Sequence, residues 1–229
     1  MVNNLKVLIT GGSSGLGKSL SKYLKEKSSR IINLGRSNCD FAETNIITDF
    51  NCIEDLYSKI NSIDIEEISD LDLIILNAAT IGEITKISSL NCDDFLSLIN
   101  VNLISNKVIL DVIFKRLPID SELQIIAISS SAAYKSISGI TPYCISKASL
   151  NMLIEGYAKE YKNHKFISIC PGVINTKMQE TLQSMSLEEV HKIKINDLPC
   201  SSVIAKKIIN NIPNFKLIKS GQFVRLKDF

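Results

Sequence analysis

Short apolar runs separated by longer amphipathic stretches recur along the whole 229-residue chain. Two of the runs, Leu-Ile-Ile-Leu at 73–76 and Ile-Ile-Ala-Ile at 125–128, show no polar alternation, the pattern of strands covered on both faces. Similar runs predict strands at 6–10, 31–34, 42–45, 73–77, 124–129, 165–170 and 222–225. The stretches between them carry apolar residues at helical spacing and predict helices at 15–26, 51–63, 93–115, 142–161 and 201–211. Only the segment between the second and third strands is too short for a crossover helix, and it reads as a loop through 37–41. Regular strand–helix alternation implies right-handed crossovers. The expected fold class is therefore α/β: a Rossmann-type, doubly wound parallel sheet of about seven strands with helices on both faces. No repeat, low-complexity tract or linker divides the chain, so residues 1–229 are expected to form a single domain.

Chemistry enters at the end of the first strand. Gly11-Gly12-Ser13-Ser14-Gly15-Leu16-Gly17 lies between that strand and the first helix. Glycines let the backbone turn sharply and approach a ligand, and the helix N-terminus offers free N–H groups and a positive dipole end. A strand, glycine turn and helix in this order suit a dinucleotide pyrophosphate, although a glycine turn alone is a weak signal. Further along, Tyr143 and Lys147 stand four residues apart on one helix face. A cation close to a phenol favours the phenolate, so the lysine is expected to lower the tyrosine's pKa from about 10 towards neutrality. An isolated Tyr–Lys pair is most often a lysine stem lying on a ring; the company it keeps gives it weight.

With these residues in view, the chain resembles the short-chain dehydrogenase/reductase family over nearly its whole length. Thr10-Gly11 with Gly15 and Gly17 is similar to the family's Thr-Gly-x-x-x-Gly-x-Gly turn. Leu76-Asn77-Ala78-Ala79 resembles its Asn-Asn-Ala-Gly stretch, with Leu and Ala at the outer positions. Asn102, Ser130 thirteen residues before Tyr143, and Pro171-Gly172-Val173-Ile174-Asn175-Thr176 match further motifs in the right order. The resemblance implies a nicotinamide oxidoreductase in which Tyr143 is the general acid/base and Ser130 orients the substrate oxygen. Lys147 would tune Tyr143 and bind the nicotinamide ribose, while Asn102 would link Lys147 to solvent through water. Gly11, Ser13, Ser14, Gly15, Leu16, Gly17, Asn77, Ala78, Ala79, Tyr143, Lys147, Pro171, Gly172, Val173, Ile174 and Thr176 would then line the cofactor.

The second strand ends in Gly35-Arg36-Ser37, without the acid that accepts hydrogen bonds from an NAD ribose. A guanidinium and a hydroxyl there suit a 2′-phosphate, so NADP(H) is the expected cofactor and NAD(H) the alternative; Asp40 is the carboxylate that could interfere. Apolar residues Ile84, Tyr134, Ile137, Met178, Leu182 and Met185 predict a mostly apolar pocket built from 79–85, 131–138 and the chain after Pro171, with a lid over 175–197. The expected substrate is a small carbonyl compound or secondary alcohol. Two rival readings are a dinucleotide sensor without turnover and a sugar-nucleotide epimerase or dehydratase. The first leaves Ser130, Tyr143 and Lys147 without a purpose, and the second lacks its own glycine spacing here.

Composition narrows the partners. Net charge is +2, from 26 basic and 24 acidic residues, and gives no reason to invoke nucleic acid. No leader or membrane span is evident, and a cytoplasmic location is expected. The six cysteines and two histidines lack ligand spacing, so neither a metal nor a disulfide is expected. Resemblance implies a homodimer or homotetramer formed through helices 93–115 and 142–161, with Phe95, Leu98, Ile109, Val112, Leu150, Leu153 and Tyr157 as candidate contacts.

Overall fold

The computed structural model describes residues 3–184 and 194–229. Seven strands form one parallel sheet: β1 (Lys6–Thr10), β2 (Arg30–Gly35), β3 (Thr44–Ile47), β4 (Leu73–Leu76), β5 (Gln124–Ile128), β6 (Lys165–Cys170) and β7 (Gln222–Arg225). Their spatial order is β3-β2-β1-β4-β5-β6-β7. Register runs without a break from Lys6 opposite Arg30 to Thr10 opposite Leu34, and on the other side from Val7 opposite Leu73 to Ile9 opposite Ile75. Strand order therefore reverses at β1, and the crevice outside the carboxyl ends of β1 and β4 is where ligands bind in such sheets.

The apolar runs follow from the sheet having two covered faces. Leu8, Ile32, Leu34, Ile74, Ile125 and Phe166 point into one core, and Val7, Ile9, Ile31, Ile75, Ile126 and Ile167 into the other. Successive residues of a strand face opposite sides, so both parities must be apolar. Helices α2 (Ile53–Asn61), α5 (Ser105–Phe114) and α6 (Thr141–Glu160) close the first core. Helices α1 (Gly15–Glu26), α8 (Ser201–Asn210) and α9 (Ile212–Leu217) close the second.

Several boundaries differ from those expected. The strand expected at 42–45 lies at Thr44–Ile47, because Asn45 must pair with Asn33 of β2. The helix expected over 51–63 stops at Asn61; Asp64, with extended backbone, starts a separate α3 (Ile65–Ile68). The helix expected over 93–115 is continuous over Cys92–Phe114 but has three parts: α4 (Cys92–Ile99), a π-helical turn (Asn100–Ile104) and α5. This helix is long and apolar enough to cross a membrane by length and composition. Leu98, Ile109, Leu110, Val112 and Ile113 are nevertheless buried in the protein, and α5 packs on α2. Neither α7 (Lys177–Ser184) nor α9 was anticipated.

The burial pattern also corrects the contacts expected for assembly. Leu98, Ile109, Val112, Leu150 and Tyr157 are at most 8% exposed, so they belong to the interior of this chain. The Tyr157 hydroxyl donates to Asp111 of α5, which also pairs with Lys107. The exposed apolar residues of these helices are Leu96, Ile145 and Met152.

Candidate active site

The glycine turn is built on Thr10. Its hydroxyl accepts the N–H of Asn77 and of Ala78, each at 2.9 Å, while the Asn77 amide returns to the carbonyls of Thr10 and Gly11. This locks the end of β4 against the turn. Gly17 is obligatory: a Cβ there would drive into the Gly11 carbonyl and lie 2.6 Å from Asn77 Nδ2. Ser14 is the N-cap of α1 but makes no side-chain cap, and the first turn holds no acid. The positive helix end is thus left for an external anion. A Cβ on Gly15, which has φ +52°, would meet only the methyl of Thr176 at 3.9 Å, and beside Gly172 the space is open. The segment 171–176 therefore borders the turn, with Val173 exposed and Ile174 buried in the α1-side core. An uncapped helix end and the open space beside Gly172 fit a dinucleotide's pyrophosphate. Arg36 and Ser37 leave β2 beside the same turn, since a Cβ on Gly35 would stand 3.6 Å from Gly11. Both are exposed, and Asp40 is engaged by Lys18 of α1 at 3.5 Å.

On the other side of the crevice lie the four candidate catalytic residues. Ser130 follows β5 and caps the short 3₁₀ turn Ser131–Tyr134 by accepting the Ala132 N–H at 3.1 Å. Its side chain also lies near enough to the Tyr143 phenol to draw that group's pKa down. The Tyr143 ring packs against the buried cluster of Ile81, Ala132, Ile140, Cys144 and Leu182, which Ile84, Ile137 and Met178 also border. Burial in this apolar setting pushes the phenol up to about 12, and Ser130 opposes only part of that.

This reverses the expected tuning. Lys147 is 3% exposed and donates to the Ile128 carbonyl at 2.9 Å, with its ammonium 5.8 Å from the centre of the Tyr143 ring. Desolvation lowers Lys147 to about 8. A largely desolvated amine turned towards a carbonyl cannot hold the phenol down, so burial of both groups outweighs their attraction. Asn102 is fully buried. Its side chain spans from the Thr80 N–H and C=O, both at 2.8 Å, to Ser146 Oγ at 2.9 Å, and its own carbonyl accepts from Asn106. Ser146 in turn donates to the Tyr143 carbonyl. The π-helical turn carries Asn102 into this position, as such turns do at functional sites. The asparagine thus holds the chain after Ala79 against α6, and its side chain makes no bond to Lys147.

Of the expected pocket residues, Ile84, Ile137, Met178 and Leu182 gather with Tyr143 in one apolar cluster. Tyr134 does not: it is 66% exposed and packs on Phe223 of β7, ring centres 4.7 Å apart. Met185 and part of the lid expected over 175–197 fall outside the described residues. Among the described residues no group of three His, Cys, Asp or Glu side chains could hold a metal. Asn33 and Ser146 were not singled out as functional residues, and Thr10 entered only as the first residue of the glycine motif. Asn33 had a legible signal, a lone amide inside the apolar run Ile31-Ile32-Asn33-Leu34.

Comparison with known proteins gives the same direction. A family model described as short chain dehydrogenase matches residues 5–187. A benzil reductase ((S)-benzoin forming) of Bacillus cereus is 26% identical over 250 residues, covering 97% of this chain and 99% of its own. An NADPH-dependent pterin aldehyde reductase of Arabidopsis thaliana is 26% identical, over 75% of this chain and 76% of its own. A short-chain dehydrogenase/reductase structure from Saccharomyces cerevisiae superposes with a TM-score of 0.84 at 22% identity, over 97% of this chain and 96% of that one. With the family matched over most of its length and its seven-stranded sheet in place, the chain belongs to the short-chain dehydrogenases and is an oxidoreductase acting on CH–OH or carbonyl groups.

Proposed function

We propose that the protein is an NADP(H)-dependent reductase of apolar carbonyl compounds. The observation that carries this reading is the Tyr143 phenol, placed near Ser130 on an apolar cluster that includes Leu182 and that Ile84, Ile137 and Met178 also border. A bound nicotinamide supplies the hydride. Ser130 donates a hydrogen bond to the substrate oxygen and offsets its developing charge, and Tyr143 passes its proton to that oxygen. With a pKa near 12, Tyr143 is protonated throughout the physiological range and can serve as the proton donor. Lys147, near 8, can give or take a proton at cellular pH and so restores the one Tyr143 loses. Asn102 acts as a positioning residue through Thr80 and Ser146.

Arg36 and Ser37 support the phosphorylated cofactor, because both are exposed beside the glycine turn and Asp40 is paired with Lys18. The names of the two relatives suggest aryl diketones and aromatic aldehydes as the first substrates to try. The test is cofactor oxidation across such a carbonyl panel with NADPH and NADH. We expect kcat/KM to favour NADPH by at least ~10-fold, which requires only ~1.4 kcal/mol. Gly35→Asp with Arg36→Ala should reverse the order. A wild-type preference for NADH would remove the role given to Arg36, and no turnover on any carbonyl would remove the reductase reading. The six cysteines are all free, which supports a reducing compartment such as the cytoplasm; fractionation that finds the protein outside it refutes this. A homodimer or homotetramer through the faces bearing Leu96, Ile145 and Met152 is proposed as well, and light scattering showing a monomer at micromolar concentration would refute it.

A further inference from the structure

A buried amide pair joins the two ends of the candidate cofactor site. Asn33, in the middle of β2 and 0% exposed, accepts the N–H of Gly12 in the glycine turn through Oδ1 at 2.8 Å. Its Nδ2 donates to the Ser37 carbonyl at 3.2 Å and to Asn45 Oδ1 at 2.9 Å. Asn45 lies opposite it on β3 and completes the link by binding Cys39 twice, accepting its N–H at 2.8 Å and donating to its carbonyl at 3.3 Å. Gly12 is fitted to this arrangement, since a Cβ there would lie 2.8 Å from Asn33 Oδ1. Two amides therefore fix the backbone of residues 37–39, next to Arg36, relative to the turn that would hold the pyrophosphate.

Position 33 is an expensive place for an amide. It sits in a strand whose neighbours Ile31, Ile32 and Leu34 are all in the core, where an unpaired polar group is strongly unfavourable. Here each of its hydrogen-bonding atoms has a partner, and every one of those partners belongs to the glycine turn, the loop after β2 or Asn45. A residue that served only strand packing would need none of them. We propose that Asn33 and Asn45 are positioning residues that preset the adenosine-side loop and thereby set discrimination at the adenosine ribose. The inference rests on the cofactor reading above for which ribose is favoured, but not for the existence of the discrimination.

The experiment uses Asn45→Ala and Asn45→Leu in the intact protein, two variants of different volume so that at least one folds; neither touches Gly12 or the catalytic residues. Dissociation constants are measured for NADPH, NADH and 2′,5′-ADP, and turnover is measured with reduced nicotinamide mononucleotide, which lacks the adenosine half. Losing the tether should weaken the dinucleotide that wild type prefers by about fivefold to tenfold and narrow its preference over the other. Turnover with the mononucleotide, and kcat at saturating dinucleotide, should not change. If NADPH and NADH weaken in equal proportion, or if mononucleotide turnover falls as well, the pair is a general support of the fold and the proposal is overturned. A wild type that binds NADH more tightly and ignores 2′,5′-ADP refutes the phosphate reading of Arg36. The amide tether is then judged on whether the Asn45 variants erode the NADH preference.

Discussion

Lys147 gives the sharpest physical test of this site, because its amine is held where a charge is unfavourable. Desolvation takes its pKa from 10.5 to about 8, so between those values the folded state binds fewer protons than the unfolded chain. Stability then rises with pH across that window. At pH 7 the unfolded lysine is essentially all charged while the folded state must strip or strand that charge, a cost of about 3 kcal/mol; at pH 10.5 well under ~1 kcal/mol remains. Lys147→Met removes this dependence. The substitution also leaves the Ile128 carbonyl without its 2.9 Å donor, which costs about 1 to 3 kcal/mol. That loss is nearly the same at both pH values, so it cancels when the two proteins are compared twice. Urea unfolding of wild type and variant at pH 7 and pH 10.5 should show wild type gaining about 3 kcal/mol relative to the variant. In thermal melts this corresponds to a relative shift of about 6 to 12 °C. Parallel pH dependences, differing by less than about 0.5 kcal/mol, would show that Lys147 is not desolvated. They would also remove the argument that it can exchange protons near neutral pH.

Other predictions test separate parts of the site. Tyr143→Phe keeps the ring that packs on the cluster of Ile81, Ile140 and Leu182 but removes the proton donor, and should lower kcat by about 10² to 10⁴ with cofactor affinity unchanged; near-normal turnover on a verified substrate would rule the donor role out. Gly17→Ala sets a methyl against the Gly11 carbonyl and Asn77, so titration should show loss of dinucleotide binding even where circular dichroism reports a folded protein. Asn102→Leu, similar in volume, strands the Thr80 N–H and C=O in the interior and should cost about 2 to 4 kcal/mol in denaturant unfolding. If Asn102→Leu is as stable as wild type, water satisfies those groups and the asparagine has another purpose.

Local signals were sufficient for much of this protein. The strand, glycine turn and helix over Lys6–Glu26 follow from an apolar run, closely spaced glycines and an amphipathic stretch, all within the span of a few turns. The doubly covered sheet follows from runs that are apolar at both parities, and the candidate acid–base pair from four-residue spacing on α6. Even α9 had a signal, a proline in its first turn. What sequence could not settle were quantities set by distant neighbours. The π-helical turn exists because Asn102 must meet Thr80, 22 residues earlier, and Ser146, 44 residues later; nothing local announces it. Asn33 became legible as part of a site only when Gly12, Ser37 and Asn45 were found around it. The Tyr143 and Lys147 pKa values were misjudged because spacing shows which charges are near but not how much water reaches them. Burial by Ile81, Ile140 and Leu182, from three separate parts of the chain, raises the phenol, and the Ile128 carbonyl on β5 takes the lysine. Periodicity and spacing are properties of a segment, whereas desolvation and hydrogen-bond partnership are properties of the packed assembly of segments, and only tertiary structure decides them.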